Sequence, residues 1–251
     1  MSSQKKENTD NLKYKEFIHN EIKRDKESFC PIRRERQFNF LWPKIKENIS
    51  EGRTSFLDLC CGHGRLIHFL EKDFSYLKIH GIDYVEEFIN DAKEKFANNS
   101  NITFELGDAF NLSEGHKKKF DCTINYKTLS WLPYYTRVIE EMIKVTKSRI
   151  YITSLFWDGD IDFITKIYNN ASENDQTHVY LNTYSLPKFK NFCLNKGAKE
   201  VLSTDMRLDI DIEQKDNQNE LHTFTRKLET GDRIELTGAV ALNWKLIEIV
   251  L

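Results

Sequence analysis

The chain is poor in residues that break or staple a fold. Of its 251 residues only four are proline and ten glycine. No repeat, low-complexity tract or linker interrupts it, so one domain is the expectation, with residues 1–50 as a helical cap, 51–156 as a cofactor-binding core and 157–251 as an acceptor-side segment. The five cysteines, Cys30, Cys60, Cys61, Cys122 and Cys193, are odd in number and lack a Cys-x-x-Cys spacing. That argues against a disulfide framework or a zinc site and for a reducing, cytoplasmic setting. The seven histidines show no His-x-His or His-x-x-x-His pairing, so no metal site is expected. The opening MSSQKKENTDN has no apolar stretch, and we expect no secretory signal. No run approaches the roughly 18 apolar residues that a bilayer-spanning helix needs. An excess of one charge is also missing. Thirty-seven basic and 39 acidic residues leave a formal net charge of −2, with no global pull toward nucleic acid or an anionic membrane.

What is present suffices for a packed core: 39% hydrophobic and 12% aromatic residues. Residues 1–10 are polar and expected to fray. Residues 12–27 and 34–48 are expected as helices, the second kinked at Pro43. A regular alternation follows. Short apolar runs at 54–60, 77–82, 101–106, 121–126 and 149–156 are expected as strands, and helices are expected over 65–72, 85–97 and 135–146. The helix over 85–97 carries Val85, Phe88, Ile89, Ala92 and Phe96 on one stripe. Strands alternating with amphipathic helices predict an α/β fold with a doubly wound, mostly parallel sheet. Ser185 is expected to cap a helix over 186–196 that Gly197 closes. The segments MRLDIDIE, LHTFTRKL, DRIELTGA and ALNWKLIEIVL then predict antiparallel strands at one edge of the sheet, with a hairpin turn at Thr230–Gly231–Asp232.

Three features converge on one ligand. LDLCCGHGR (57–65) joins the first strand to the first helix, where open α/β sheets bind ligands. Gly62 and Gly64 allow a sharp turn and a close approach, and Asp58 can hold the loop's amides or receive an ammonium group. Asp83 ends the second strand, 19 residues after Gly64, with Tyr84 beside it. An acid there can accept from both hydroxyls of a ribose. Asp108 ends the third strand and can accept an adenine amine, with Ala109 and Phe110 offering backbone and an apolar edge.

The stretch from about 54 to 156 resembles the class I (Rossmann-like) methyltransferases that use S-adenosylmethionine (SAM). The resemblance implies SAM as cofactor and S-adenosylhomocysteine (SAH) as product. It implies that Asp58, Cys60, Gly62 and Gly64 lie on the loop around the amino-acid part of SAM, that Asp83 holds ribose and that Asp108 holds adenine. FDCTINYKTLSWL (120–132) resembles the fourth-strand motif and puts Asn125 and Tyr126 beside the methionyl part and the reacting sulfur. The sequence departs from the pattern at Cys60, where the family usually has glycine. A nicotinamide dehydrogenase expects a third glycine where Ile67 stands, which disfavours that reading.

Methyl transfer from a sulfonium needs alignment, exclusion of water and, for a neutral hydroxyl or amine, a base. Candidate acceptor contacts are Tyr126, Trp131, Tyr134 and Tyr135, then Trp157, Asp158 and Asp160, and His222 and Arg226; for the aromatics at 131–135 packing is the favoured reading. His222 and Tyr126 are the catalytic candidates, His222 as base; a surface strand histidine is the competing reading. Arg33, Arg34 and Arg36 are offered by the cap, and Arg36 is assigned to the cofactor carboxylate. His63 is expected to shape the loop rather than react. The tail and TYSLPKF resemble bacterial methyltransferases of surface-polysaccharide (capsule) modification, which implies O-methylation of a small polar acceptor. A monomer or homodimer is expected, with no membrane partner and with nucleic acid disfavoured as a partner. NYKT lacks the prolines of DNA amino-methyltransferases, and neither a paired-glutamate hairpin nor a carboxylate cluster for a catalytic metal is evident. Two alternatives stay open: a non-catalytic SAM-binding partner subunit, and an RNA methyltransferase using basic patches such as Arg33–Arg36 and Lys117–Lys119.

Overall fold

The structure is a computed structural model that describes residues 31–168, 178–214 and 222–251, with the side chains of 31–36 and 113–114 outside the description. The expected helix over 12–27, the frayed start, Cys30 and the side chains of Arg33, Arg34 and Arg36 therefore lie outside the described residues. Among the described residues, no helix is long and apolar enough to cross a membrane.

The chain opens with α1 (Pro31–Ser50), which runs through Pro43 without a break in the helix. The alternation then begins: β1 (Ser55–Leu59), α2 (Arg65–Asp73), β2 (Lys78–Asp83), α3 (Glu86–Lys95), β3 (Ile102–Leu106), α4 (Ser113–His116), β4 (Phe120–Tyr126), α5 (Thr136–Val145) and β5 (Thr146–Trp157). After β5 come β6 (Lys166–Tyr168), β7 (His178–Tyr180), β8 (Tyr184–Ser185), α6 (Leu186–Asn195), β9 (Glu200–Asp205), β10 (Thr223–Lys227), β11 (Arg233–Thr237), β12 (Val240–Ala241) and β13 (Trp244–Val250).

Strands β1 to β5 pair in parallel in the order β3-β2-β1-β4-β5. The order reverses direction at β1, whose neighbours are β2 on one side and β4 on the other. Such a switch point opens a crevice at the carboxyl ends of the strands. Helices cover both faces. On one, Phe38, Leu41 and Ile45 of α1 join Leu66, Ile67 and Leu70 of α2 and Ile89 and Ala92 of α3. On the other, Val138, Ile139, Met142 and Val145 of α5 join Leu186, Phe189 and Cys193 of α6. Ser185 caps α6 as expected, its Oγ accepting from Lys188 N at 3.3 Å.

The end of the chain differs from the sequence expectation in detail. β13 is antiparallel, and it enters the sheet between β5 and β9 rather than at the edge. Its residues alternate between the two cores, with Trp244 and Leu246 on one face and Ile247 and Ile249 on the other. Two-sided burial explains why ALNWKLIEIVL reads as a nearly unbroken apolar run. MRLDIDIE forms no strand. LHTFTRKL and DRIELTGA form a hairpin in a separate sheet, β10-β11-β12, with Gly231 at φ +90° in the turn.

Gly64 sets the start of α2. It adopts φ +71°, and a Cβ there would lie 2.8 Å from Phe96 Cε2 and 3.3 Å from Phe104 Cε1. Gly64→Ala adds left-handed strain and overpacking together, about 2–4 kcal/mol of lost stability. Urea denaturation checks this, and a loss below about 1 kcal/mol contradicts the steric account.

Candidate active site

β1 ends at Leu59 and the chain turns back on itself over five residues. Cys60 N and Cys61 N both donate to Ile82 O, at 2.8 and 3.1 Å, which ties the loop to the end of β2. Cys60, Gly62 and Gly64 all take positive φ, at +62°, +53° and +71°. A left-handed cysteine carries strain of about 1–3 kcal/mol, which explains why glycine is usual at that position in the family that the sequence resembles.

Asp83 clamps the turn from below. Its Oδ2 accepts from Gly62 N and its Oδ1 from Val85 N, each at 2.9 Å. A carboxylate has about four lone-pair directions, so both oxygens can still accept ribose hydroxyls. Asp108 accepts from Phe110 N at 2.8 Å, Ala109 is buried, and the Phe110 ring meets Tyr134 at 5.2 Å. Tyr84 is exposed at the rim. Asn125 sits across from the loop at the end of β4, its Nδ2 donating to Leu59 O at 3.0 Å, while its Oδ1 is buried without a partner.

Asp58 is the most unusual group. It is 2% exposed, and its Oδ2 has no hydrogen-bond partner. Burial and then the charge of Asp83 push its carboxyl well above the ordinary range. Burial also raises the Cys60 thiol, helped by the charges of Asp83, Asp58 and Asp108. Cys60 is thus a neutral thiol, and the fact that all three carboxylates act on it marks their convergence around one loop. A buried acid with a half-buried second and an exposed third around the same turn favours a cationic ligand. Asp83 is raised as well, by burial, although the N–H groups of Val85, Gly62 and Tyr84 pull it back.

The structure sorts the remaining candidates. The Tyr126 hydroxyl donates to Gln37 Oε1 at 3.4 Å, and its ring lies 5.5 Å from Phe38. α1 therefore lies against the end of β4. Gln37 is a residue the sequence reading missed. It is buried, and its Nε2 lacks a partner; no periodicity or motif distinguishes it from a packing residue. His63 turns onto α3, with Nδ1 2.9 Å from Asp91 Oδ2 and its ring 4.4 Å from Phe88, so it braces the loop. His222 precedes β10, where its carbonyl accepts from Thr237 Oγ1 and its ring lies 6.2 Å from Phe224. Arg226 stacks on Phe224. Trp244 links that small sheet to β4, since its Nε1 donates to Glu235 Oε1 at 3.0 Å and Lys127 Nζ lies 4.6 Å from its ring centroid. Lys127, Glu235 and Trp244 were also missed, because they are distant in sequence.

Several expected acceptor residues have other duties. Tyr135 packs on the far core between Tyr184 and Phe189, at 4.9 and 5.1 Å, and burial raises its hydroxyl to about 12. That agrees with the packing reading of the 131–135 aromatics. Trp131 packs against the α1-side core. Trp157 Nε1 donates to Ile161 O, Asp158 pairs with Lys245 at 3.3 Å, and Asp160 is exposed. In the Lys117–Lys119 run, Lys118 Nζ donates to the carbonyls of Ile143 and Thr146.

A switch-point crevice with a left-handed glycine loop and an acid at the end of each of the next two strands defines a nucleoside-cofactor-binding α/β domain. The comparisons with known proteins specify it. The family described as "Methyltransferase domain" matches residues 50–226. A demethylmenaquinone methyltransferase of Leptospira interrogans is 31% identical over 112 residues, 43% of this chain and 45% of the relative. The match thus spans about half the length of that curated relative. Among solved structures, magnesium protoporphyrin IX methyltransferase of Synechocystis with bound SAM aligns at TM-score 0.51 and 14% identity, covering 86% of this chain and 80% of the other. The methyltransferase domain of bacterial CtHen1 aligns at 0.52 and 13%, covering 87% and 100%. The chain belongs to the class I SAM-dependent methyltransferase family: it carries a methyltransferase domain whose cofactor is SAM and whose spent cofactor is SAH.

Cys60→Gly relieves the left-handed strain and adds a glycine entropy cost of about 0.5–1 kcal/mol. The expected stability is equal to or up to about 1 kcal/mol above that of the parent, with SAH affinity retained. A loss beyond about 1 kcal/mol in urea denaturation contradicts it.

Proposed function

We propose that the protein transfers the methyl group of SAM to a small polar acceptor, by O-methylation of a sugar or related metabolite in surface-polysaccharide modification, as one domain with the cofactor held by residues 51–156 and the acceptor by 157–251. The observation that carries the cofactor half is the unpartnered, buried Asp58 Oδ2 between a left-handed loop and Asp83. A buried carboxylate without a partner is costly. The methionyl ammonium of SAM supplies that partner, and Asn125 Oδ1 offers a second acceptor for it. The Gln37 amide is the complementary donor on the other side, suited to the methionyl carboxylate. Asp83, with Tyr84 at the rim, takes the ribose. Asp108, Ala109 and Phe110 take the adenine. Arg36 stays assigned to the cofactor carboxylate as a proposal from sequence.

On the acceptor side, Lys127, Glu235 and Trp244 combine an ammonium, a carboxylate and an indole face. That mixture suits a molecule with hydroxyl groups and C–H faces better than a large apolar one. The printed acceptors of the two relatives named above, demethylmenaquinone and magnesium protoporphyrin IX, are small molecules too, which supports a small acceptor without naming it. Tyr126 aligns the reacting end, and His222 removes the hydroxyl proton as the methyl moves.

Calorimetry tests the cofactor half. SAH is expected to bind at micromolar Kd, and Asp83→Ala to weaken it about tenfold to a hundredfold, the worth of hydrogen bonds to a charged acceptor. Because burial holds Asp58 protonated above the ordinary carboxylate range and an ammonium beside it brings it down, binding releases a proton. Affinity is full above the raised value and falls as pH drops through it. Asp58→Asn is expected to abolish both the proton release and that pH dependence. No binding by the folded wild type sinks the reading.

Mass spectrometry of reactions with SAM and nucleotide-activated or capsule-type sugars tests the acceptor. Methylated sugar is the expected product, whereas methylated RNA in its place supports the competing nucleic-acid reading. His222→Ala is expected to lower kcat about 10²-fold or more while SAH affinity is unchanged. An unchanged kcat makes His222 a strand histidine.

A further inference from the structure

Among the described residues, one group of three metal-ligating side chains converges, and it lies away from the cofactor loop: His80 on β2, Glu105 on β3 and His116 at the end of α4. From this geometry we infer that His80, Glu105 and His116 form a binding site for a divalent first-row transition cation of the zinc type. Glu105 Oε2 lies 3.2 Å from His80 Nε2 and 3.3 Å from His116 Nε2. The three donor atoms all lie within 4.8 Å of one another. Bonds of about 2.0–2.1 Å at tetrahedral angles separate neighbouring donors by about 3.3–3.4 Å. The two short separations match that spacing, and an ion is held once the two imidazole nitrogens close to the same separation from each other. Two imidazoles and one carboxylate are a borderline ligand set, chosen by zinc, cobalt, nickel or iron over calcium or magnesium. Three protein ligands leave at least one position open to water on the exposed Glu105 side.

The surroundings orient the ligands. His80 Nδ1 is 2.7 Å from Thr103 Oγ1, which can accept the ring N–H and leave the Nε2 lone pair toward Glu105. Its ring stacks on Phe120 at 5.7 Å and 17°, so its plane is set by packing. This outer support is what ligating histidines normally have. Burial lowers the pKa of His80 and favours the neutral ring, the form that ligates. Burial alone raises Glu105, but its interactions with His116 and His80 bring it below its usual value, keeping it an anion. One group opposes the cation: Lys119 Nζ lies 3.3 Å from His116 Nδ1. As an ammonium it donates there and places the ring proton on Nε2. Binding moves the ring to the other tautomer and displaces Lys119, whose exposed chain is free to swing.

The ion has a mechanical consequence. α4 has four residues, too short to hold itself as a helix. His116 joined through the cation to β2 and β3 anchors it, and Glu105 and His116 bracket Asp108 in sequence.

The test is titration of chelator-treated protein with Zn²⁺ alone by calorimetry, with Co²⁺ as a spectroscopic probe. The expected result is one saturable Zn²⁺ per chain, a rise in Tm with Zn²⁺, and visible Co²⁺ bands without the intense near-ultraviolet absorption of thiolate ligation. The double variant H80A/H116A is expected to lose at least a hundredfold in affinity. Glu105→Gln removes the anion from an exposed position that does not threaten folding, and is expected to weaken binding tenfold or more. Lys119→Met is expected to tighten it. Absence of one-to-one binding by the folded wild type, thiolate-type Co²⁺ absorption, or binding that Glu105→Gln leaves unchanged overturns the site.

Discussion

The Asp83 carboxylate is the constraint on which the site depends. It accepts from Gly62 and Val85 at the same time, so one side chain joins the glycine loop after β1 to the entry of α3 after β2. The two strands are already in register, with Leu59 opposite Ile82, and Ile82 O takes the amides of Cys60 and Cys61. The loop is therefore held from below, over its first three residues, by the end of β2. Its left-handed residues cannot relax without breaking those bonds. The result is a rigid cup with carboxylates at its base, and a neutral cup would have no need of a cationic ligand.

That rigidity has a cost in electrostatics, met by the choice of ligand. Asp58, Asp83 and Asp108 converge on Cys60, and burial pushes Asp58 and Asp83 toward their neutral forms. A ligand with a positive ammonium and a sulfonium relieves both the burial and the mutual repulsion. Family membership and this physical argument meet on the same cofactor. Beside that loop, α1 and the C-terminal third both reach the end of β4. Tyr126 leans on Gln37 of α1, and Lys127 on Trp244 of β13, which in turn holds Glu235 of β11. Three segments distant in sequence meet over the ends of β4 and β5.

The sequence by itself determined the doubly wound core. Its signal is local and repeated: apolar runs of strand length alternate with amphipathic stripes, and Gly62, Gly64, Asp83 and Asp108 fall at strand ends where backbone direction alone places them together. Parallel pairing then needs no further information, because each helix carries the chain back to the same side. The tail was less legible. Its four β-rich segments carry the same propensity, so the sequence could not tell that ALNWKLIEIVL enters the main sheet while LHTFTRKL and DRIELTGA build a separate small one with β12. The sequence favours packing over acceptor contact for Tyr135, and it is half-buried against the far core; the side of the sheet on which a loop aromatic lands depends on how the following helix packs. Only tertiary structure decided which isolated polar groups meet: Gln37 with Tyr126, Lys127 with Trp244, and His80 and Glu105 with His116. None of these pairs has a fixed sequence spacing. Their proximity comes from strand order and from where α1, α4 and β13 dock, and long-range packing leaves no periodic mark on the chain.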